Sequence, residues 1–452
     1  MNSNPSSPTT RREFIKTSAA SLAGGATALF AGCATKPKPT AATAATVSVA
    51  AAAHATGSDT LKVGVIGCGG RGTGAAREAL MADKNIVLTA MGDAFADRIQ
   101  PSLGSLQKEG AEKGFADRIK VTPDTCFAGL DAYEKVIENA DVILLTTPPG
   151  FRPVHLKAAV DAGKHVFCEK PMATDAPGYR SVLESVKAAR EKKLALVAGF
   201  CWRYDFARRE LFKEIHDGAI GDVRSIYATY YTGPVKRMPA PDTRPKDMGD
   251  LEWQMRNWYN FVWICGDGYV EQACHSVDKV AWAMKDASPI KAVAVGGRQT
   301  SNHEGNIYDH MFVVYEFAND VRGFLGQRQI SSCFNENADY IMGTDGVAKI
   351  SGGISIRGKK TWRYQGPKNA MYQQEHDELF ASIRKGEPIN DGEWMAHSTM
   401  MGIMGRMAAY TGQEITWEDA CNSQERLVPE KLDWNMKLPI APMAVPGFTK
   451  LV

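Results

Sequence analysis

Leu61-Lys-Val-Gly-Val-Ile-Gly67-Cys-Gly69-Gly-Arg-Gly72 is the run from which the rest of this 452-residue chain can be read. A short apolar, β-prone segment ends in a glycine pattern, and the helical stretch Thr73–Ala82 follows. Strand, glycine turn and helix in that order are what a dinucleotide-binding turn requires. Gly67 would allow the tight turn and Gly69 the approach of a pyrophosphate, with Gly72 letting the helix pack close on the strand. Cys68, Gly70 and Arg71 complete the turn, where free helix N–H groups face the phosphates. Because a glycine pattern alone is weak, the acid expected about twenty residues on matters more. Asn85-Ile-Val-Leu-Thr-Ala-Met-Gly-Asp93 supplies it at the end of a second strand. Asp93 would accept hydrogen bonds from a ribose 2′-hydroxyl and repel a 2′-phosphate. That favours NAD over NADP, with Arg98 nearby keeping NADP open.

The length is enough for two domains, and the composition is ordinary for a soluble globular chain. The hydrophobic share is 44% and the charged share 23%. A formal charge of +2 leaves no basic excess to neutralise phosphates, which argues against a nucleic-acid partner. The nine cysteines contain no CxxC pair and no metal-ligand spacing, so no metal is expected. Cys68, Cys168, Cys201 and Cys274 read as small buried hydrophobes.

Thr10-Arg11-Arg12-Glu-Phe-Ile-Lys16 resembles a twin-arginine export motif, and the uncharged Thr17–Gly32 run follows as an h-region. Phe30-Ala-Gly-Cys33 resembles a lipoprotein box, which predicts a lipid anchor at Cys33. Cleavage near Ala53-His-Ala55 is the other possibility. Residues 1–33 thus read as a signal peptide and 34–58 as an Ala/Thr/Pro-rich linker. The expected location is periplasmic or membrane-anchored.

From residue 59 to about 178, strands and helices alternate, the pattern of a doubly wound parallel sheet. Helices are expected at Phe95–Lys113, Leu130–Asn139 and Pro153–Ala162, with a strand near Lys120-Val121. Asp141-Val-Ile-Leu-Leu-Thr-Thr147 reads as a buried strand ending at Pro148-Pro149. Ligands bind beyond the carboxyl ends of such strands, which places Thr147, Pro148 and His155 near a cofactor. Asp175–Lys192 reads as a crossover helix into Leu194–Phe200. Residues 179–452 are assigned to a second domain. There Val223–Thr232, Ile290–Gln299, His310–Phe317, Val321–Ile330 and Ala348–Ile356 suggest an α+β domain with a mainly antiparallel open sheet. Leu438–Val452 reads as a Pro-rich arm, either wrapping a neighbour or lying on the surface.

The glycine turn, the Thr-Thr-Pro strand end and Glu169-Lys170-Pro171 together resemble the glucose–fructose oxidoreductase/inositol dehydrogenase/rhizopine-catabolism superfamily. The resemblance continues through Ala198-Gly-Phe-Cys-Trp-Arg-Tyr204 and Glu271-Gln-Ala-Cys-His275-Ser-Val-Asp278. It implies a nicotinamide-dependent oxidoreductase of sugars or polyols, assembled as a dimer or tetramer through the second-domain sheet. Exported relatives keep the cofactor tightly bound, and a glycoside hydrolase family of this fold supplies a redox-neutral alternative.

Gly266-Asp-Gly268 would open a helix over Tyr269–Met284, with Glu271 and His275 one turn apart on one face and Asp278 close by. A neutral His275 could take the proton of a sugar hydroxyl, Glu271 orienting its ring. Lys170, at a strand's carboxyl end beside Glu169, could touch both nicotinamide and substrate oxygen and stabilise an alkoxide. The aromatic run Leu251–Trp263 precedes that helix. Arg256 and Trp258, with Arg203 and Tyr204 beyond another strand end, are the candidate substrate residues, and Asp278 is added to them. Asn257 could also bond a sugar hydroxyl. Trp263 reads as core, and His397 as either a pocket or a capping residue.

Overall fold

The structure is a computed structural model that describes residues 59–300 and 303–452. The twin-arginine motif, Cys33 and the 34–58 linker lie outside the described residues.

Six short strands build the first sheet: β1 (Leu61–Ile66), β2 (Ile86–Asp93), β3 (Cys126–Ala128), β4 (Val142–Leu145), β5 (His165–Cys168) and β6 (Leu196–Ala198). All pair in parallel in the order β3-β2-β1-β4-β5-β6. Val142–Leu145 is buried throughout, as a strand covered on both faces by helices must be. The crossover helices are α1 (Gly70–Ala82), α2 (Ala96–Lys113), α3 (Ala132–Glu138), α4 (Arg152–Asp161) and α5 (Ala176–Glu191). The order reverses at β1, whose neighbours are β2 and β4. A crevice therefore opens beyond the carboxyl end of β1, next to the glycine turn.

Two expectations for the first sheet are corrected. The boundary at residue 178 falls too early, because β6 pairs with β5 and belongs to the first sheet. The strand expected near Lys120-Val121 is only an isolated bridge from Ile119 to Leu88, and the true third strand is β3, which pairs with β2.

The second half begins with α6 (Phe206–His216) and β7 (Val223–Thr232), then α7 (Asp250–Arg256), α8 (Val262–Cys265), α9 (Gly268–Glu271) and α10 (Cys274–Ala283). The sheet is continued by β8 (Lys291–Gly297), β9 (His310–Glu316), β10 (Arg322–Gln329), β11 (Glu336–Gly343), β12 (Gly346–Ile350), β13 (Ile354–Gly358) and β14 (Trp362–Arg363). Then come α11 (Met371–Lys385), α12 (Gly392–Thr411), β15 (Ile415–Thr416) and α13 (Trp417–Asn422). The nine strands are ordered β14-β13-β12-β11-β7-β10-β9-β8-β15, antiparallel except for the β7–β10 pair. The Ala348–Ile356 strand expected from the sequence is two strands. Gly352 and Gly353, both at positive φ, turn the chain between them.

One face of this sheet (Ile226, Ala228, Val313, Tyr315, Leu325) is buried with residues of α10 and α12 in one core. Helix α12 is apolar almost all round and correspondingly buried along nearly its whole length. On the other face Val293 and Val295 are exposed, beside half-buried Phe312 and Phe324. Helix α11 returns to the first half, where Gln373 bonds the Glu78 carbonyl and Arg384 pairs with Asp83.

Candidate active site

The glycine turn has the geometry its sequence predicts. Gly67 sits at φ +97, and a Cβ on Gly72 would stand 1.9 Å from the Gly67 carbonyl oxygen, so neither position accepts a side chain. In front of Gly69 and Gly70 a Cβ would meet nothing within 4 Å, which is the open room a pyrophosphate needs. The α1 N-terminus, with its unpaired N–H groups, faces that space. Asp93 closes β2, and its carboxylate accepts from the backbone N–H groups of Cys68 (2.7 Å) and Phe95 (3.0 Å). These bonds aim it, while burial still pushes its pKa above the ordinary carboxylate value.

This turn lines one end of a cavity of about 840 Å³, within the usual range for small-molecule and cofactor sites. Gly67, Gly69, Gly70, Arg71, Gly72, Asp93, Thr147, Pro148, His155, Glu169, Lys170, Arg256, Trp258, Glu271 and His275 are the expected residues with surface on it, Pro148 and Thr147 from the end of β4. Cys68 is not among them. Its thiol turns inward to the Gly92 carbonyl, because the next strand's backbone offers the acceptor there. Arg71 borders the cavity, but its guanidinium is held by Glu169, Glu78 (2.7 Å) and Glu375 (3.5 Å), so it ties the turn to the Lys170 strand. His155 stacks on Tyr133 with ring centroids 4.2 Å apart and bonds Thr147 at 3.3 Å. Burial, then the Arg152 charge, pulls its pKa down to about 3.

At the other end, Lys170 follows β5. Its ammonium donates to the main-chain carbonyl of Glu271 at 2.5 Å and to Glu271 Oε1 at 3.1 Å. Burial works against that charge, but Glu271, Cys274 and Glu169 outweigh it, and the Lys170 pKa rises. The predicted single helix over Tyr269–Met284 is consequently two, α9 and α10. The Glu271 carbonyl serves the lysine, and the His275 N–H turns to the Gln272 carbonyl at 3.4 Å.

The expected Glu271–His275 pair does not form, because Glu271 is committed to Lys170 and to the Gln272 side chain (2.6 Å). Gln272 in turn accepts from the Tyr230 hydroxyl at 2.8 Å, giving a Tyr230–Gln272–Glu271–Lys170 chain along the cavity wall. His275 packs against Trp202 (4.9 Å between centroids) and edge-on to Phe200. Its Nδ1 is buried with no hydrogen-bond partner among the described residues. Burial, then Lys170, Lys279 and Arg208, holds the ring far below the usual histidine range, so it is neutral.

Three of the five expected substrate residues lie away from the cavity. Arg203 is buried and grips Asp278 through Nε and Nη2 (2.9–3.1 Å), with Asp286 on its other edge. Asp278 is taken up by that arginine and by Ser398 (2.8 Å). Tyr204 donates to buried Asp391. Each charge or hydroxyl is satisfied inside the protein, which is what burial demands. Trp258 and Arg256 do line the cavity, Arg256 with its guanidinium 4.1 Å from the Phe95 ring centroid and paired with Asp97 and Glu252. Asn257 bonds its own helix, Trp263 is core and donates to Gln254, and His397 contacts Ser288 and Trp417.

The sequence reading missed Tyr230, Gln272 and Trp202. Gln272 adjoins Glu271, but the role of Tyr230 depends on β7 passing beneath α10. Lys279, in a buried pair with Asp339, sits 4.0 Å from the Trp202 ring centroid and backs this wall.

Residues 61–200 match the model of an oxidoreductase family with an NAD-binding Rossmann fold. Inositol 2-dehydrogenase 3 of Saccharopolyspora erythraea is 28% identical over 265 residues, covering 58% of this chain and 65% of that one. The dTDP-3,4-didehydro-2,6-dideoxy-alpha-D-glucose 3-reductase of Actinomadura kijaniata is 28% identical over 196 residues, 43% of this chain and 49% of that one. The chain therefore spans less than two thirds of the length of either relative. The crystal structure of the aldose-aldose oxidoreductase from Caulobacter crescentus with glycerol superposes with a TM-score of 0.60 at 18% identity. It covers 79% of this chain and 99% of that one, a likeness of fold.

Proposed function

We propose that this chain is an oxidoreductase of the glucose–fructose oxidoreductase/inositol dehydrogenase/rhizopine-catabolism family and moves hydride between a sugar or polyol carbon and a nicotinamide cofactor. One observation carries the reading: Lys170, Glu271 and His275 open onto the same cavity as the glycine turn and Asp93. The turn fits the dinucleotide, since Gly67 and Gly72 leave no room for a Cβ and Gly69 and Gly70 face open space. When bound, the nicotinamide ring accepts or donates the hydride.

The chain's own residues divide the remaining work. Lys170 stays an ammonium and lies where a substrate oxygen would develop negative charge; Glu271 fixes its position and Gln272 fixes Glu271. Neutral His275 takes the hydroxyl proton during oxidation and returns it during reduction. Trp202, Tyr230 and Trp258 offer ring faces and one hydroxyl, surfaces suited to the C–H faces and oxygens of a carbohydrate. Asp93 supports NAD as the preferred dinucleotide.

Export by the twin-arginine route, with an anchor at Cys33, is proposed on the Thr10–Lys16 motif and the Phe30–Cys33 box. A cofactor retained through the catalytic cycle goes with that location. Assembly through the outer face of the nine-stranded sheet is supported by exposed Val293 and Val295 beside Phe312 and Phe324.

The test is a screen of cyclic polyols and aldoses with NAD and NADP, following reduced nicotinamide. Turnover of at least one compound, faster with NAD, is expected. Nucleotide binding without turnover of any sugar, polyol or keto-sugar would contradict the reading.

A further inference from the structure

Between α13 and the Leu438–Val452 arm the chain runs without helix or strand and lines the cavity. Resting on the nucleotide-site reading above, we propose that residues 427–438 form a strap across the adenosine end of the cleft and slow the release of a bound dinucleotide.

The strap is pinned at both ends. The backbone N–H groups of Leu427 and Val428 donate to Asp175 Oδ2 at 2.8 and 3.4 Å, and Asp175 caps α5 in the first half of the chain. At the far end the Leu438 N–H donates to Asp250 Oδ2 at 3.1 Å, and Gln254 Nε2 donates to the Leu438 carbonyl at 2.7 Å. Asp250 and Gln254 belong to α7. The strap therefore runs from the start of α5 to α7.

Between the pins it faces the cavity. Val428, Pro429, Glu430 and Leu432 line it, in company with Asp93 and Phe95, the residues that close β2 and follow it. Trp434 packs on the Phe95 ring with centroids 5.6 Å apart. Among the described residues, 429–432 make no hydrogen bond to the body of the protein. That stretch is held by the apolar packing of Leu432, with the Phe95–Trp434 contact just beyond it, and in the proposal it lifts while its ends stay attached. An adenosine seated beside Asp93 would lie against this wall, so in the proposal the strength of the Phe95–Trp434 contact enters the release rate.

Two measurements on the full chain test this. In the first, NADH is chased with excess ADP-ribose and its dissociation rate is read by fluorescence for the native protein and Trp434→Ala. Loss of the ring contact should raise the rate about three- to tenfold. In the second, amide hydrogen exchange across residues 428–436 of the native protein is followed with ADP-ribose or nicotinamide mononucleotide. ADP-ribose should slow exchange and the mononucleotide should not. An unchanged dissociation rate in a folded variant overturns the strap, and so does an exchange pattern indifferent to ADP-ribose, which needs no variant. A native chain that binds neither NADH nor NADPH overturns the nucleotide-site reading and the strap with it. Binding with no slowing overturns the strap alone.

Discussion

Lys170 reaches 101 residues along the chain to bond both the carbonyl and the carboxylate of Glu271. The same contact sets the lysine's charge, fixes its place on the cavity wall, and diverts the carbonyl that would otherwise continue the helix into His275. The position of Lys170 on the cavity wall and the break in the helix thus have one cause.

A buried pair of this kind is costly to break from one side. Lys170→Met leaves the Glu271 carboxylate without its partner, and the expected loss is about 3–5 kcal/mol of unfolding free energy. Adding Glu271→Gln removes the stranded charge and should recover a large part of that loss. Urea unfolding of the two single variants and the double variant measures it; additive losses would mean that the pair is not energetically coupled.

Asp93 is held by two backbone N–H groups with the rest of its carboxylate facing the cavity. Asp93→Ser should weaken NAD by about ten- to a hundredfold, the worth of a hydrogen bond to a charged group, and narrow or reverse the preference over NADP. Dissociation constants for both nucleotides check this. Equal weakening of the two would show that the carboxylate does not face the 2′ position.

His155 ties stability to pH. Its pKa falls to about 3 in the folded chain, against about 6.5 in an unfolded one. A depressed folded value means that its share of stability is complete above pH 6.5 and is lost as pH falls toward 3. Between pH 7 and pH 5 that share is about 2 kcal/mol. His155→Phe keeps the stacking with Tyr133 and Phe151 and cannot be protonated. Its stability should therefore decline less than the native protein's between those two pH values. An identical decline in thermal or urea unfolding would place the acid sensitivity elsewhere.

Local pattern carried much of the architecture. The strand, glycine turn and helix from Leu61 to Ala82 are written in contiguous residues, and Val223–Thr232 is a strand over the residues its β-branched and aromatic run predicts. β11 was missed because Glu336, Asn337 and Asp339 disguise it. Asp339 is tolerable there only because Lys279 arrives from α10 to pair with it. The site followed the same division. Gly67, Asp93, Lys170 and His275, which line the cavity, sit in motifs that end strands or open helices. Arg203, Tyr204 and Asp278 sit in equally suggestive motifs yet turn inward, since Asp286, Ser398 and Asp391, their partners, are far away in sequence. Nor could spacing alone reveal that a lysine would take the Glu271 carbonyl, or that a coil near the C-terminus would wall the cleft.

The most direct test of the account is a single-turnover experiment with the purified chain in molar excess over NAD, using a polyol or aldose found by the screen. The near-ultraviolet band of reduced nicotinamide is the readout. Native protein should give a rapid rise, slowed at least about a hundredfold in His275→Ala and in Lys170→Ala, while both variants still bind NAD. A rise of native rate in either variant would contradict the assignment of hydride chemistry to this wall of the cavity.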